Sequence, residues 1–141
     1  VLCLCQGNTC RSPMMERMLR RELGFRGFSD IVVESAGLLA SAAGQPMAEF
    51  SIRELASRGI SANGHASRYV GTLDLSSFDI IVTVGDKEAT SIREYAGCPK
   101  IVVVLNDENG GIPNPWQQGA VAYSLCADII ESQIRKFART F

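Results

Sequence analysis

The sequence lacks the patterns that mark several large classes of protein. It has no apolar run long enough to span a bilayer. It has no Gly-x4-Gly-Lys-Ser/Thr motif for a nucleotide and no Cys-x-x-Cys pair that would indicate zinc. The net charge of -1 favours neither nucleic acid nor an anionic membrane as a partner. We therefore expect no metal, no organic cofactor, no nucleic acid and no membrane contact.

The cysteines also lack the pattern of a disulfide framework. There are five of them, whereas such a framework normally has an even number. Cys3, Cys98 and Cys126 lie among apolar or small residues and are predicted to be core thiols. The apolar start, residues 1–5, has no basic region before it and does not resemble a signal peptide. Together these features predict a reducing, cytoplasmic setting.

The sequence does contain enough apolar material for one folded domain, which we expect to occupy residues 1–141. Hydrophobic residues make up 46% and charged residues 21% of the chain, a composition that argues against disorder. No internal repeat or low-complexity segment interrupts it.

Strand-like apolar segments alternate with helix-like amphipathic segments. The predicted elements, in chain order, are a strand at 1–5, a helix at 13–23, a strand at 31–34, a helix at 46–58, a strand at 78–84, a helix at 86–95, a strand at 100–105 and a helix at 116–141. This alternation predicts an α/β fold with a parallel sheet covered by helices on both faces. Ligands of such folds bind beyond the carboxyl ends of the strands. The loop after the first strand therefore lies where a site is expected.

That loop, residues 5–12 (Cys-Gln-Gly-Asn-Thr-Cys-Arg-Ser), runs into a helix that begins near Pro13. In this position, successive backbone N–H groups face one concavity at a helix N-terminus, an arrangement that binds phosphate. Gly7 would let the backbone curl closely around the anion, and Arg11 would hold two of its oxygens. The predicted phosphate-binding residues are Gln6, Gly7, Asn8, Thr9, Cys10, Arg11 and Ser12.

Cys5 is the predicted nucleophile. A helix N-terminus and an arginine both favour the thiolate form of a nearby cysteine, and Ser12 can donate a hydrogen bond to its sulfur. In-line attack would give a cysteinyl-phosphate, which water would then hydrolyse. A buried cysteine followed by a turn and a helix cap is the alternative interpretation. The apolar strand before the loop, the Gly-Asn within it and the Ser-Pro after it favour a cysteine-nucleophile phosphatase.

Residues 1–14 (Val-Leu-Cys-Leu-Cys-Gln-Gly-Asn-Thr-Cys-Arg-Ser-Pro-Met) resemble the signature of the low-molecular-weight protein-tyrosine-phosphatase family. Three further segments match in order: 35–37 (Ser-Ala-Gly), 65–68 (His-Ala-Ser-Arg) and 114–116 (Asn-Pro-Trp), where the family has Asp-Pro-aromatic. The resemblance covers essentially the whole chain. It implies a four-stranded parallel sheet flanked by helices, a phosphorylated protein as substrate and inorganic phosphate as product.

The resemblance also implies roles for residues that support the loop. A hydrogen-bond network would hold the strained loop in shape. The residues of this network are Asn8, Ser12, Ser35 and His65. Cys10 matches a second family cysteine that can form a reversible disulfide with the nucleophile, and it could resolve a sulfenic acid on Cys5. Simple packing of Cys10 beneath the loop is an equally open alternative.

Asn114 is the main departure from the family pattern, because the family has its general acid at this position. An asparagine can neither protonate the leaving oxygen nor later deprotonate water, and loss of a general acid costs ~10²–10⁴ in rate. The chain could be a slow phosphatase that relies on Cys5 and Arg11, or Asp107 or Glu108 could supply the proton. It could also be a phosphate-binding member with impaired turnover, and an asparagine introduced to trap a complex is a further alternative.

Thr9 is the second departure. Many tyrosine-specific members have a branched apolar residue there, whereas members that act on phosphoarginine have threonine. A hydroxyl at the pocket floor could favour a polar guanidinium over a phenyl ring. Protein arginine phosphatase is therefore the alternative to protein tyrosine phosphatase.

The walls of the pocket are predicted from the same resemblance. Trp116 would stack on the ring of the substrate, and residues 38–45, which include Leu39, would form the opposite wall. Arsenate reductases share the fold and the loop but need a further pair of redox cysteines. Only Cys98 and Cys126 are available here, and they are widely spaced, so arsenate reduction is disfavoured.

Overall fold

The computed structural model describes all 141 residues and contains one parallel sheet surrounded by helices. The strands are β1 (Leu2–Cys5), β2 (Glu34–Gly37), β3 (Ile80–Thr83) and β4 (Ile101–Val104). The main helices are α1 (Arg11–Phe25), α2 (Glu49–Ser57), α3 (Asp86–Arg93) and α4 (Gly119–Ala138). The strand order is β2-β1-β3-β4, and every pairing is parallel. The α/β fold with a four-stranded parallel sheet is thus confirmed.

The alternation of side chains along β1 divides the core between the two faces of the sheet. Cys3 and Cys5 face a large apolar cluster that includes residues of α1 and α4. Leu2 and Leu4 face a smaller cluster that includes Ile92 of α3. Because both faces are covered, the central strand is buried throughout, which explains its continuous apolar sequence. Its carboxyl end, where Cys5 lies, borders a cavity.

The bounds of α1 differ from the prediction of 13–23. The helix begins at Arg11, so Pro13 lies in its first turn, and it continues through Gly24, which the sequence suggested as its end. The left-handed residue is Gly27, with φ of 83°, and the N–H of Phe28 closes the end on the carbonyl of Leu23 at 2.8 Å. Such a closure satisfies a carbonyl that the helix itself leaves free.

Two other helices begin later than predicted, for local backbone reasons. α2 begins at 49 rather than 46 because Ala48 is extended and its N–H donates to the carbonyl of Thr9 at 2.9 Å. α4 begins at 119 rather than 116 because Gln117 and Gly119 are left-handed, with φ of 61° and 86°. Trp116 therefore lies in a loop and not on a helix.

The second strand is displaced along the chain from its predicted position at 31–34, since β2 runs from Glu34 to Gly37. Its register places Gly37 beside Cys5. A Cβ on Gly37 would lie 2.6 Å from the carbonyl oxygen of Gln6 and 2.9 Å from the nitrogen of Asn8. Any side chain there would displace the loop after β1. No helix of the structure combines the length and the apolarity needed to cross a membrane.

Candidate active site

The loop between β1 and α1 forms an open nest of donors. The backbone N–H groups of Gln6, Gly7, Thr9 and Cys10 donate to no acceptor in the protein. The curl depends on Asn8, which is left-handed with φ of 57°. Gly7 was predicted to provide this freedom, but its φ is not positive and a Cβ there would make only ordinary contacts. Free N–H groups converging at a helix start bind anions.

The sulfur of Cys5 lies at the base of this nest and contacts two donors. The N–H of Asn8 donates to it at 3.3 Å, and the hydroxyl oxygen of Ser12 lies 3.0 Å away. Because this oxygen already accepts from the side-chain amide of Asn8 at 2.8 Å, the proton of Ser12 is available to the sulfur. The carbonyl oxygen of Ala36 can also accept the proton of Ser12, but it is more distant, at 3.4 Å. Two donors stabilise negative charge on sulfur.

Arg11, the first residue of α1, lines the same cavity as Cys5. Its side chain is buried, and Nη1 donates to the carbonyl of Ile112 at 2.9 Å. Its Nε is buried without any hydrogen-bond partner. Since an unpaired buried donor is costly, an anion that accepted this hydrogen would be bound favourably.

A buried network behind the loop holds Asn8 in its left-handed conformation. The side-chain amide nitrogen of Asn8 donates to Ser12 at 2.8 Å and to Ser35 at 3.0 Å. Its amide oxygen accepts the N–H of Arg68 at 2.9 Å, and its carbonyl accepts Nε2–H of His65 at 2.8 Å. The four network residues that the family resemblance suggested thus lie together. Every polar group of Asn8 is used, which fixes the loop without a ligand.

Burial lowers the pKa of His65 below its ordinary value of 6.5, and the hydrogen bond to Asn8 opposes this effect only in part. In the unfolded chain His65 takes up a proton near pH 6.5, whereas in the folded chain it does so at lower pH. Lowering the pH from about 6.5 through the pKa of folded His65 therefore favours the unfolded state. Neutral His65 contributes its full stabilisation to the fold only above about pH 6.5.

We expect replacement of His65 by glutamine, which also carries an N–H donor, to reduce this pH dependence. The free energy of unfolding of the wild type should fall more between about pH 7.5 and pH 5.5 than that of His65→Gln. Urea unfolding of both proteins at the two pH values measures the difference. Equal losses in the two proteins would show that His65 does not titrate with a lowered pKa.

A cavity of about 760 Å³ opens above the loop. Leu39 and Trp116, the two residues predicted to form its walls, both line it. Phe50 of α2 and Tyr123 of α4 also line it, with ring centroids 5.3 Å apart. The sequence did not indicate these two residues as site residues, since at their positions on amphipathic helices they look like core residues. The cavity is therefore aromatic on the α2–α4 side, which suits a flat substrate group.

Cys10 is directed toward this aromatic side. Its sulfur lies 3.1 Å from the hydroxyl of Tyr123, and burial is the main cause that raises the pKa of that hydroxyl. All five cysteines are free thiols in the structure. Burial raises the pKa of Cys126 to about 12 and also raises the pKa of Cys3, as expected of core thiols.

Asn114 lines the cavity together with Trp116. Its amide oxygen accepts the N–H of Trp116 at 3.2 Å, an interaction that an aspartate could also make. Asp107 and Glu108 lie on an exposed turn and do not line the cavity. The structure thus brings residue 114 to the site and leaves the two other acid candidates outside it.

Three charged residues that support the loop were given no role by the sequence. Glu16 of α1 is buried, accepts the hydroxyl of Ser35 at 2.8 Å and pairs with two arginines of its own helix. Arg68 donates from its side chain to the carbonyl of Ser35. Glu88 in the first turn of α3 accepts the side-chain amide of Gln6 at 3.0 Å. On the sequence alone, Glu16 and Glu88 look like ordinary surface charges, and Arg68 is only the last residue of the matching segment 65–68.

The whole chain, residues 1–141, matches the family described as low molecular weight phosphotyrosine protein phosphatase. Over 127 residues the chain is 32% identical to the low molecular weight protein-tyrosine-phosphatase YfkJ of Bacillus subtilis, a match that covers 84% of this chain and 81% of YfkJ. Over 142 residues it is 28% identical to the low molecular weight protein-tyrosine-phosphatase Wzb of Escherichia coli K12, covering 99% of this chain and 92% of Wzb.

Solved structures share the fold. The low molecular weight protein tyrosine phosphatase from T. tengcongensis superposes with a TM-score of 0.88 at 24% identity, covering 99% of this chain and 97% of that one. The YwlE arginine phosphatase, in a mutant form with a phosphorylated active-site serine, superposes with a TM-score of 0.87 at 23% identity, covering 99% and 93%. At these identities the likeness shows the fold alone.

Proposed function

Because this chain belongs to the low molecular weight phosphotyrosine protein phosphatase family, we propose that it hydrolyses phosphotyrosine on proteins through a cysteinyl-phosphate on Cys5. One observation carries the proposal. The sulfur of Cys5 lies between two hydrogen-bond donors at the base of a nest of free N–H groups, and Arg11, whose Nε is unpaired, lines the same cavity. Neither a structural cysteine nor an ordinary helix start requires that combination.

In the first step, the thiolate of Cys5 attacks phosphorus, the S–P bond forms and the bond from phosphorus to the tyrosine oxygen breaks. The loop N–H groups and Arg11 hold the phosphoryl oxygens as charge moves to the leaving oxygen. In the second step, water attacks phosphorus, and the S–P electron pair returns to sulfur as inorganic phosphate leaves. The hydroxyl of Ser12 stabilises the departing thiolate.

Asn114 sets the speed of both steps. At the position that would protonate the leaving oxygen and then deprotonate water, the chain has an amide. We propose that the protein is a slow phosphatase, with water supplying and accepting these protons. If water exchanges these protons too slowly, the same site would bind phosphate with impaired turnover.

The direct test measures phosphate release from phosphotyrosine and phosphoarginine peptides side by side, with Cys5→Ala as the control. We expect release from the phosphotyrosine peptide by the wild type and none by the variant. Binding of phosphate without release from any peptide or aryl phosphate would leave only the binding interpretation.

Thr9 supports protein arginine phosphatase as a second candidate function. Thr9 is part of the phosphate-binding loop and lines the cavity, so its hydroxyl is available to a bound substrate. A guanidinium can donate to such a hydroxyl, whereas a phenyl ring cannot.

We expect Thr9→Ile to shift the ratio of kcat/KM values toward phosphotyrosine over phosphoarginine. Loss of one hydrogen bond to a charged group is worth about 1.5–3 kcal/mol, so the ratio should change about tenfold or more. The two peptides are assayed with both proteins. An unchanged ratio would remove the support that Thr9 gives to this candidate.

We also propose that the protein acts in the cytoplasm. A nucleophilic thiol acts only when it is reduced, and a reducing compartment maintains free thiols. The five free cysteines of the structure are consistent with that setting.

A further inference from the structure

Glu49 is the only carboxylate among the residues that line the cavity. It is the first residue of α2 and follows the segment that forms one side of the cavity. Its side chain is 74% exposed, so it lies at the rim rather than the floor. The family resemblance and the predicted chemistry give it no role.

The present partner of Glu49 is readily exchanged. Arg53, one turn further along α2, donates to its carboxylate at 2.6 Å, and the arginine side chain is itself 64% exposed. Exposed pairs of this kind contribute little to stability. Arg53 also lies over the ring of Phe50, 5.4 Å from its centroid, and it can keep that contact without Glu49. A cation on a ligand can therefore replace Arg53 at small cost.

The cavity has a buried positive charge, that of Arg11, and an exposed negative charge, that of Glu49. At the floor, Arg11 and the loop N–H groups favour a phosphoryl group, while at the rim Glu49 favours a positive charge. A ligand that suits both ends carries its cation a short distance from its phosphoryl group. A lysine or arginine beside a phosphorylated residue in a protein segment has this arrangement.

We propose that Glu49 is a specificity-determining residue that selects phosphorylated protein segments with a lysine or arginine next to the phosphorylated residue. The inference rests on the proposed function of the same cavity. It concerns binding, so it can be tested with a protein that does not turn the substrate over.

The experiment measures the affinity of two phosphotyrosine peptides that differ only in having lysine or glutamate beside the phosphotyrosine. Cys5→Ala serves as the non-hydrolysing background, and Glu49→Gln is added to it. The matched control is Glu54→Gln, because Glu54 lies on the same helix, pairs with Arg58 four residues later at 3.0 Å and does not line the cavity. Both variants change the net charge equally.

We expect the lysine peptide to bind about threefold or more tightly than the glutamate peptide, an effect the size of one exposed ion pair. The preference should be lost in Glu49→Gln, kept in Glu54→Gln and weakened by salt. A preference that survives Glu49→Gln, an absence of preference in the background protein, or failure of both peptides to bind would overturn the inference. Turnover of the same peptides by the wild type is measured separately. Failure of the proposed hydrolysis can then be distinguished from failure of the proposed selectivity, which is a difference in binding.

Discussion

Replacing Asn114 with aspartate is expected to raise the rate of phosphotyrosine hydrolysis by ~10² or more. One oxygen of the new carboxylate can accept the N–H of Trp116, as the amide oxygen does now, and the other remains free to exchange protons. The gain should be larger for a tyrosine leaving group than for a nitrophenolate, since a good leaving group needs less help from an acid. Steady-state kcat values with a phosphotyrosine peptide and an aryl phosphate measure both effects.

Gln118→Glu is the matched control for this prediction. Gln118 lies four residues from Asn114, donates to its carbonyl at 3.4 Å and does not line the cavity. The substitution introduces the same charge nearby without placing an acid in the site. Equal rates for the wild type and Asn114→Asp would contradict the assignment of position 114 to the general acid.

Replacing Arg11 with lysine is expected to lower kcat/KM for phosphotyrosine peptides by ~10²–10³, the usual cost of losing a donor that stabilises transition-state charge. An ammonium group cannot both donate to the carbonyl of Ile112 and present a second, planar edge to the phosphoryl group. The contacts of Arg11 suit this role, because Nη1 is engaged while Nε is unpaired.

The control for this substitution is Arg20→Lys. Arg20 also donates to a carbonyl, that of Val33, but it does not line the cavity. Melting temperatures of both variants show whether the folded state is retained. A folded Arg11→Lys protein with wild-type kcat/KM would show that the guanidinium does not hold the phosphoryl group.

The loop itself was predictable from the sequence because its determinants are local. An apolar strand, a short segment that holds a cysteine and an arginine, and a helix start fix where the donors point. The order of alternating elements then predicts the sheet. The bounds were less predictable, since the start of α4 depends on a left-handed Gln117 that no sequence pattern indicates.

The support behind the loop depends on long-range contacts. Ser35 and His65 were named only because the family resemblance placed them, and nothing in their own surroundings predicts hydrogen bonds to Asn8. Glu16 looks like a surface charge in an i,i+4 pair with Arg20, and its burial becomes visible only when β2 brings Ser35 beside it. Glu49 has the same local pattern with an arginine one turn later, and only the fold shows that it borders the cavity.

The central claim, that Cys5 accepts the phosphoryl group, is tested most directly by isolating the intermediate. The wild type is mixed with excess aryl phosphate, denatured rapidly and digested, and the peptides are mapped by mass spectrometry. Because Asn114 cannot activate water, the intermediate should accumulate. We predict one phosphoryl group on Cys5 and none in Cys5→Ala. Phosphate release with Cys5 unmodified, or release by Cys5→Ala, would contradict the account.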